Sequence, residues 1–475
     1  MLSNTINAKS NAKLGLRPVG DSYRVSDIPK DIRRGSTSRT RDELQDEALR
    51  TVLGYRRLVL NWGTGVGKSR VAVRLVDHLA GKGKDSILLL VQETAHKANW
   101  GKEFEEVLGR DRAKAVLETV TVECYASLPK YADTVWDCII ADEAHHLRSD
   151  NRTAILSTMG ARYFLCLSAT LSENGDADQL VKTLEDTFGH FESLSFGVQD
   201  AINNDIIGEP AIHLHVLDIR KISRPQRVLL DWGMPWMLRE EPQEVTYDEA
   251  LRRLEHRGED GYKTFRVTCT CTAEQAYDLM NRLLEARKQE RDELMESISN
   301  EKDKAARSAM CRKVTYLENA AKQAGLRRKN LLGQCKTAFA EWLLERLDER
   351  GTKYVCFCTD VEQVKALGGD NAIHSGRSGN LGVIDSFNEG AISNIFAVDM
   401  IKEGQNLNGI QAGVIVQLGG KERDFVQKLG RALRSREPEQ HLIVIDHTRD
   451  VDYLKVALGN IDKKYVAVHR WPAKK

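Results

Sequence analysis

The sequence predicts an α/β protein made of two mostly parallel-sheet lobes with a helical insert between them. Three observations carry this. Short apolar runs at 57–61, 86–91, 119–124, 136–141, 163–167 and 212–217 alternate with helical segments such as Arg70–Ala80 and Asn99–Leu108. The alternation returns after 336, with strands expected at 353–358, 371–373, 394–398, 413–418 and 441–445. Between them, from Thr272 to about Lys329, Ala, Leu and Met recur at helical spacing in a charged stretch.

In chain order, residues 1–35 are polar, with Lys9, Lys13, Arg17, Arg24, Lys30, Arg33 and Arg34 among Ser and Asn. They read as a flexible basic arm; a transit peptide lacks a continuous amphipathic stripe. Regular structure is expected from near Thr40, where Ser38, Thr40 or Asp42 can cap a helix carrying Leu44, Ala48, Leu49 and Leu53. The first lobe then spans 36–219, the mainly helical insert 220–335 as part of the second lobe, and the rest of that lobe 336–475. The last residues are too few for another domain.

The 475 residues, 41% hydrophobic, suit a soluble protein of two or three domains. Net charge is +1, so a basic surface must be local. Nine cysteines sit mostly in apolar runs, which points to an intracellular, reducing compartment, cytoplasm or nucleus. Cys269-x-Cys271 and Cys356-x-Cys358 lack zinc-ribbon spacing. No apolar run approaches the roughly 20 residues that span a bilayer, and no signal-peptide core is visible.

The chemistry begins at Leu58–Ser69, a strand, a glycine-rich turn and a Lys-Ser pair opening a helix. Gly63, Thr64, Gly65, Val66 and Gly67 can turn their N–H groups onto phosphate oxygens. Lys68 would reach the β- and γ-phosphates of ATP, and Ser69 would bind Mg²⁺. A strict G-x4-G-K-[ST] pattern needs glycine at 62, where this chain has Trp62. The apolar run ending at Ala141 delivers Asp142 and Glu143. Asp142 is the expected Mg²⁺ ligand and Glu143 the base or water-orienting group. Adjacent carboxylates in a strand face opposite ways, so the strand must end here for both to serve one site. His145 can couple to the next strand or simply hydrogen-bond. Gln45, 23 residues before Lys68, suits an adenine edge or is a surface residue.

In the second lobe, Gln427, Arg431 and Arg434 share Phe425–Arg434, and the two arginines, three apart, share a helix face. Such guanidiniums can clamp a transferring phosphoryl. Asp399, Gly404 and Gln405 follow a strand as candidates for nucleotide or backbone contact. Lys304–Lys329 carries eight cations (304, 307, 312, 313, 322, 327, 328, 329) against Glu318, either a solvated face or a phosphate-tracking surface.

In order, these motifs resemble superfamily 2 helicases and translocases, over roughly 40–219 and 336–446. The resemblance implies two RecA-like lobes, with Gly65, Gly67, Lys68 and Ser69 binding ATP and Mg²⁺. Asp142 and Glu143 would drive hydrolysis, and Ser168 and Thr170 would couple it to movement. Arg431 and Arg434 would be arginine fingers, and Gln427 would face the nucleotide cleft. Gln92–Trp100, with Glu103 and Phe104, looks like the strand-contacting motif of the DNA-translocase branch, and Tyr125–Leu128 like the next. His374-Ser-Gly376 and Asp385-Ser-Phe-Asn388 fit remodeller-like and phage-type members. The expected function is an ATP-dependent DNA helicase or translocase with a nucleic-acid partner and no membrane. An RNA helicase of the same core, or an ATP-switched nucleic-acid sensor or scaffold, stays open. So does a P-loop ATPase unrelated to nucleic acid, against which the second-lobe arginines argue. Trp62 leaves the loop geometry open.

Overall fold

The computed structural model describes residues 39–63, 65–148, 150–168, 176–234, 237–398, 407–419, 439–459 and 461–471. The first helix among the described residues, α1 (Arg41–Tyr55), is capped by Thr40, whose side chain accepts from Glu43 N while Glu43 accepts from Thr40 N. There follow β1 (Arg57–Trp62), α2 (Lys68–Ala80), β2 (Ile87–Val91), α3 (Thr94–Leu108) and α4 (Arg110–Leu117). Then come β3 (Val120–Cys124), β4 (Val135–Ala141), α5 (Asp150–Leu156), β5 (Gly160–Ser168), α6 (Asp176–Phe188), β6 (Glu192–Phe196) and α7 (Val198–Asn203).

Six of these strands form one parallel sheet, ordered β3-β2-β4-β5-β1-β6. Alternate side chains of its central strands enter two cores. Leu58, Leu60, Leu89 and Val91 pack with Val71, Leu75 and Leu79 of α2, while Val59, Leu88 and Leu90 pack with Phe164, Phe188 and Phe191. Helices therefore cover both faces, which is why these strands read as continuous apolar runs.

The second sheet contains β7 (Ala211–Leu217), β11 (Tyr354–Phe357), β12 (Ala372–Ile373), β13 (Asn394–Ala397), β14 (Ala412–Ile415), β15 (Glu439–Ile445) and β16 (Val466–Trp471). Its order is β12-β13-β11-β14-β15-β7-β16, all parallel. Here the expectation needs correction. The sequence order puts the strand at 212–217 with the first lobe, yet β7 pairs with β15 and β16, Ile212 opposite Gln440 and Val466. An apolar run announces burial between strands but not which strands. The chain's last described residues, 466–471, complete the sheet as an edge strand.

The insert is helical, but it opens with a small mixed sheet that its Pro- and Gly-punctuated sequence hid. This comprises β8 (Gln226–Trp232), β9 (Gln243–Val245) and β10 (Phe265–Cys271), ordered β8-β10-β9, with α8 (Tyr247–Glu255) beside it. Two long helices follow, α9 (Ala273–Asn300) and α10 (Lys304–Cys335), then α11 (Thr337–Glu349). Thr272 and Asp303 cap the long helices, accepting from Gln275 N and Ala305 N. The fold closes with α12 (Val361–Gly368), α13 (Asn380–Asn388) and α14 (Arg449–Ala457). No helix among the described residues is long and apolar enough to cross a membrane.

Candidate active site

The glycine-rich loop leaves β1 after Trp62 and enters α2 at Lys68. Trp62 is 1% exposed and pairs with Phe196 of β6, so position 62 belongs to the strand and the core, and the turn starts at Gly63. Gly63 N–H donates to the Phe196 carbonyl at 2.8 Å. Gly65 and Gly67 have φ of +86° and +99°, the left-handed region that glycine alone enters freely. Val66 between them is buried. Lys68 Nζ lies 2.9 Å from the Trp62 carbonyl and 3.4 Å from that of Gly63, holding the ammonium inside the loop. Ser69 is half-buried in the first turn of α2.

Gln45 does not lie on the surface. It is 2% exposed, and its amide N–H donates to the Val66 carbonyl at 3.2 Å. This places the glutamine as a brace for the loop.

The carboxylates sit two strands away. Asn61 of β1 is level with Ser168 of β5, and Cys166 is level with Ala141 of β4. Asp142 therefore emerges one residue beyond β4, two strand spacings or roughly 10 Å from the end of β1. Buried Ser168 stands at the end of the strand between them. The strand does stop there. Glu143 has φ +48°, and a 3-10 turn, Ala144–Arg148, follows at once. This break lets both acids leave on the same edge of the sheet. His145, 6% exposed, has Nδ1 3.4 Å from Glu143 Oε2.

Asp142 is held from several sides. Its N–H donates to the Leu90 carbonyl at 2.9 Å, and its Oδ1 accepts from Glu143 N at 3.1 Å. Oδ2 accepts from the Trp100 indole at 3.0 Å, and its carbonyl accepts from the Tyr125 hydroxyl at 2.6 Å. Trp100 and Tyr125, from segments resembling strand-contacting motifs, are 5% and 1% exposed and turn inward to the acid.

The donors fit a magnesium-bound triphosphate: loop N–H groups and the Lys68 ammonium for phosphates, the Ser69 hydroxyl and Asp142 carboxylate as hard oxygen ligands. Thr64, Thr170, Asp399, Gly404, Gln405, Gln427, Arg431 and Arg434 lie outside the described residues.

The basic helix is only partly free. Arg328 is 7% exposed and bonds to Asn281, Arg327 pairs with Asp231 at 2.9 Å, and Lys313 with Glu290 at 3.1 Å. Lys304, Arg307, Arg312 and Lys322 are exposed.

Residues 39–173 match the family model of the type III restriction enzyme Res subunit. This chain carries that match over the segment with the glycine-rich loop, Asp142 and Glu143.

Two solved structures share its two-lobed fold. One, Mss116p bound to ssRNA and AMP-PNP, matches with a TM-score of 0.51 and 9% identity over 94% of this chain and 81% of that one. The other, the ATP-dependent type ISP restriction-modification enzyme LlaBIII bound to DNA, gives 0.51 and 11% over 95% of this chain and 33% of that one. This chain thus spans about a third of LlaBIII. The Hef helicase domain of Pyrococcus furiosus aligns over 87% of this chain and 96% of its own, with 14% identity and a TM-score of 0.42. No curated protein matches the sequence.

Proposed function

We propose that this chain is a superfamily 2 helicase core working as an ATP-driven nucleic-acid motor, a helicase or translocase acting on DNA. The observation that carries the reading is the pairing of the Gly67-Lys68-Ser69 turn with Asp142 and Glu143, released together where β4 breaks. Loop N–H groups and Lys68 hold the phosphates. Ser69 and Asp142 would hold Mg²⁺, which when bound would supply charge neutralisation at the phosphoryl. Glu143 orients or deprotonates the attacking water, steadied by His145. The resemblance adds Arg431 and Arg434 as the guanidiniums that act on the phosphoryl, with Gln427, Asp399 and Gly404 as further nucleotide contacts. Alternating grip on the phosphodiester backbone then yields steps, and binding is salt-dependent with little sequence preference. Nine unbridged cysteines suit a reducing compartment such as cytoplasm or nucleus.

The test compares ATP turnover with duplex DNA, single-stranded DNA and RNA. DNA is expected to stimulate most. Greater stimulation by RNA moves the protein to the RNA-helicase reading, and equal rates with and without every nucleic acid remove the motor. Stimulated turnover without strand displacement or translocation would leave an ATP-driven switch. Lys68→Ala is expected to abolish turnover. Arg431→Ala is expected to keep ATP binding and lose roughly 10³-fold or more in rate, because the guanidinium acts mainly on the transition state.

A further inference from the structure

We infer that Trp100 and Tyr125 are positioning residues that hold Asp142 in a preset orientation for the magnesium ion. This rests on the reading of Asp142 as the metal-binding carboxylate. Two donors reach it from separate elements. The Trp100 indole, from α3, donates to Oδ2 at 3.0 Å, and the Tyr125 hydroxyl, from the turn after β3, donates to the backbone carbonyl at 2.6 Å.

Both bonds are shielded from water, since the two rings are 5% and 1% exposed. Both rings are also pinned. Trp100 lies against Phe104 with centroids 6.2 Å apart. Tyr125 has the Arg152 guanidinium 5.4 Å from its centroid and the His146 ring at 5.9 Å.

A carboxylate just beyond a strand end would otherwise turn freely about its side-chain torsions. With Glu143 N on Oδ1 and Trp100 on Oδ2, that rotation stops. Tyr125 and the Asp142 N–H bond to Leu90 fix the backbone from which the carboxylate hangs. Supports of this kind behind a metal-ligating carboxylate typically contribute about 10–100-fold in metal affinity.

The experiment uses the full chain with Mn²⁺ and ADP, following free Mn²⁺ by electron paramagnetic resonance. Trp100→Phe keeps a ring in the core but loses the N–H. It is expected to weaken Mn²⁺ binding by about 10–100-fold, while metal-free binding of a fluorescent ADP analogue stays near parental. Asp142→Asn tests the premise: parental Mn²⁺ affinity in that variant means Asp142 is not a ligand, whatever Trp100 does. If Asp142→Asn weakens Mn²⁺ but a folded Trp100→Phe binds it as the parent does, the positioning role is overturned. Should Trp100→Phe not fold, Tyr125→Phe decides. A severalfold loss of Mn²⁺ affinity supports the inference, and no loss overturns it.

Discussion

Gly67 has no room for a side chain. Its φ is +99°, and a Cβ there would come 2.2 Å from Gln45 Nε2. Gly67→Ala is therefore expected to push Gln45 off the Val66 carbonyl and to strain the backbone by about 1–3 kcal/mol. Because Gly67 also opens α2, the cost falls on the phosphate cradle, and affinity for a fluorescent ATP analogue is expected to drop by roughly tenfold or more, the equivalent of 1.4 kcal/mol. Unchanged affinity would mean that Gln45 yields without moving the loop. The glycines, Lys68, Asp142 and Glu143 were legible because their chemistry lies in contiguous letters. Gln45 was not, since its partner lies 21 residues on and decides whether the amide meets base, solvent or loop. The Trp100 bond to Asp142 is hidden for the same reason: its acceptor is 42 residues away, and only the β2–β4 pairing brings them together.

Where α10 meets α11, Lys336 is fully buried, with Nζ 2.6 Å from Asp450 Oδ2 and 2.8 Å from Gln417 Oε1. Asp450, also fully buried, accepts from Gln417 Nε2 at 2.7 Å and Ile445 N at 3.0 Å. Beside it, Gln363 Nε2 donates to the Gly333 carbonyl and Thr337 Oγ1, both at 2.9 Å. These networks weld the insert's elbow to the strand ends of the second sheet, so the insert moves with that lobe. Lys336→Met leaves a buried carboxylate without its cation and is expected to cost about 3–5 kcal/mol. Lys336→Met with Asp450→Leu is expected to recover much of that loss, which a double-mutant cycle in urea would measure. Additive losses would refute the coupling. At this scale, periodicity announced most strands and the long helices. It missed β6, whose Glu192-Ser-Leu-Ser-Phe has every second residue exposed, and it could not say where β7 pairs.

That pairing has a consequence for the whole molecule. By carrying β7 into the second sheet, between β15 and β16, the chain brings His213, His215, His441 and His469 onto one face. Ring centroids are 4.9 Å apart for His213–His441, 5.4 Å for His215–His441 and 5.2 Å for His215–His469. Trp471 Nε1 donates to His215 Nδ1 at 3.0 Å, so His215 is neutral there and its Nε2 faces His441 Nδ1 at 3.1 Å. A proton on Nδ1 would set two donors against each other. Burial, then the neighbouring histidines, lowers His215 to about 2 and His213 to about 4, and burial also lowers His469. Each folded value lies below the ordinary 6.5, so the unfolded chain takes up protons that the folded one refuses. Stability is thus fully present above about pH 6.5 and falls as pH drops below it, toward the folded values. Glu439, lowered to about 2 chiefly by its hydrogen bond to His441, adds its own loss only below its ordinary 4.5. The window between pH 6.5 and 4.5 therefore reports on the histidines. Urea unfolding followed by tryptophan fluorescence, with Trp342 and Trp471 beside the stack, is expected to show constant stability from pH 8 to 7 and a decline by pH 5. His215→Phe is expected to remove one proton from that decline, about 1.4 kcal/mol per pH unit. An unchanged slope in the variant would show that His215 stays neutral in the unfolded chain as well, or charges freely in the folded one, and would overturn the link between the strand crossing and acid sensitivity.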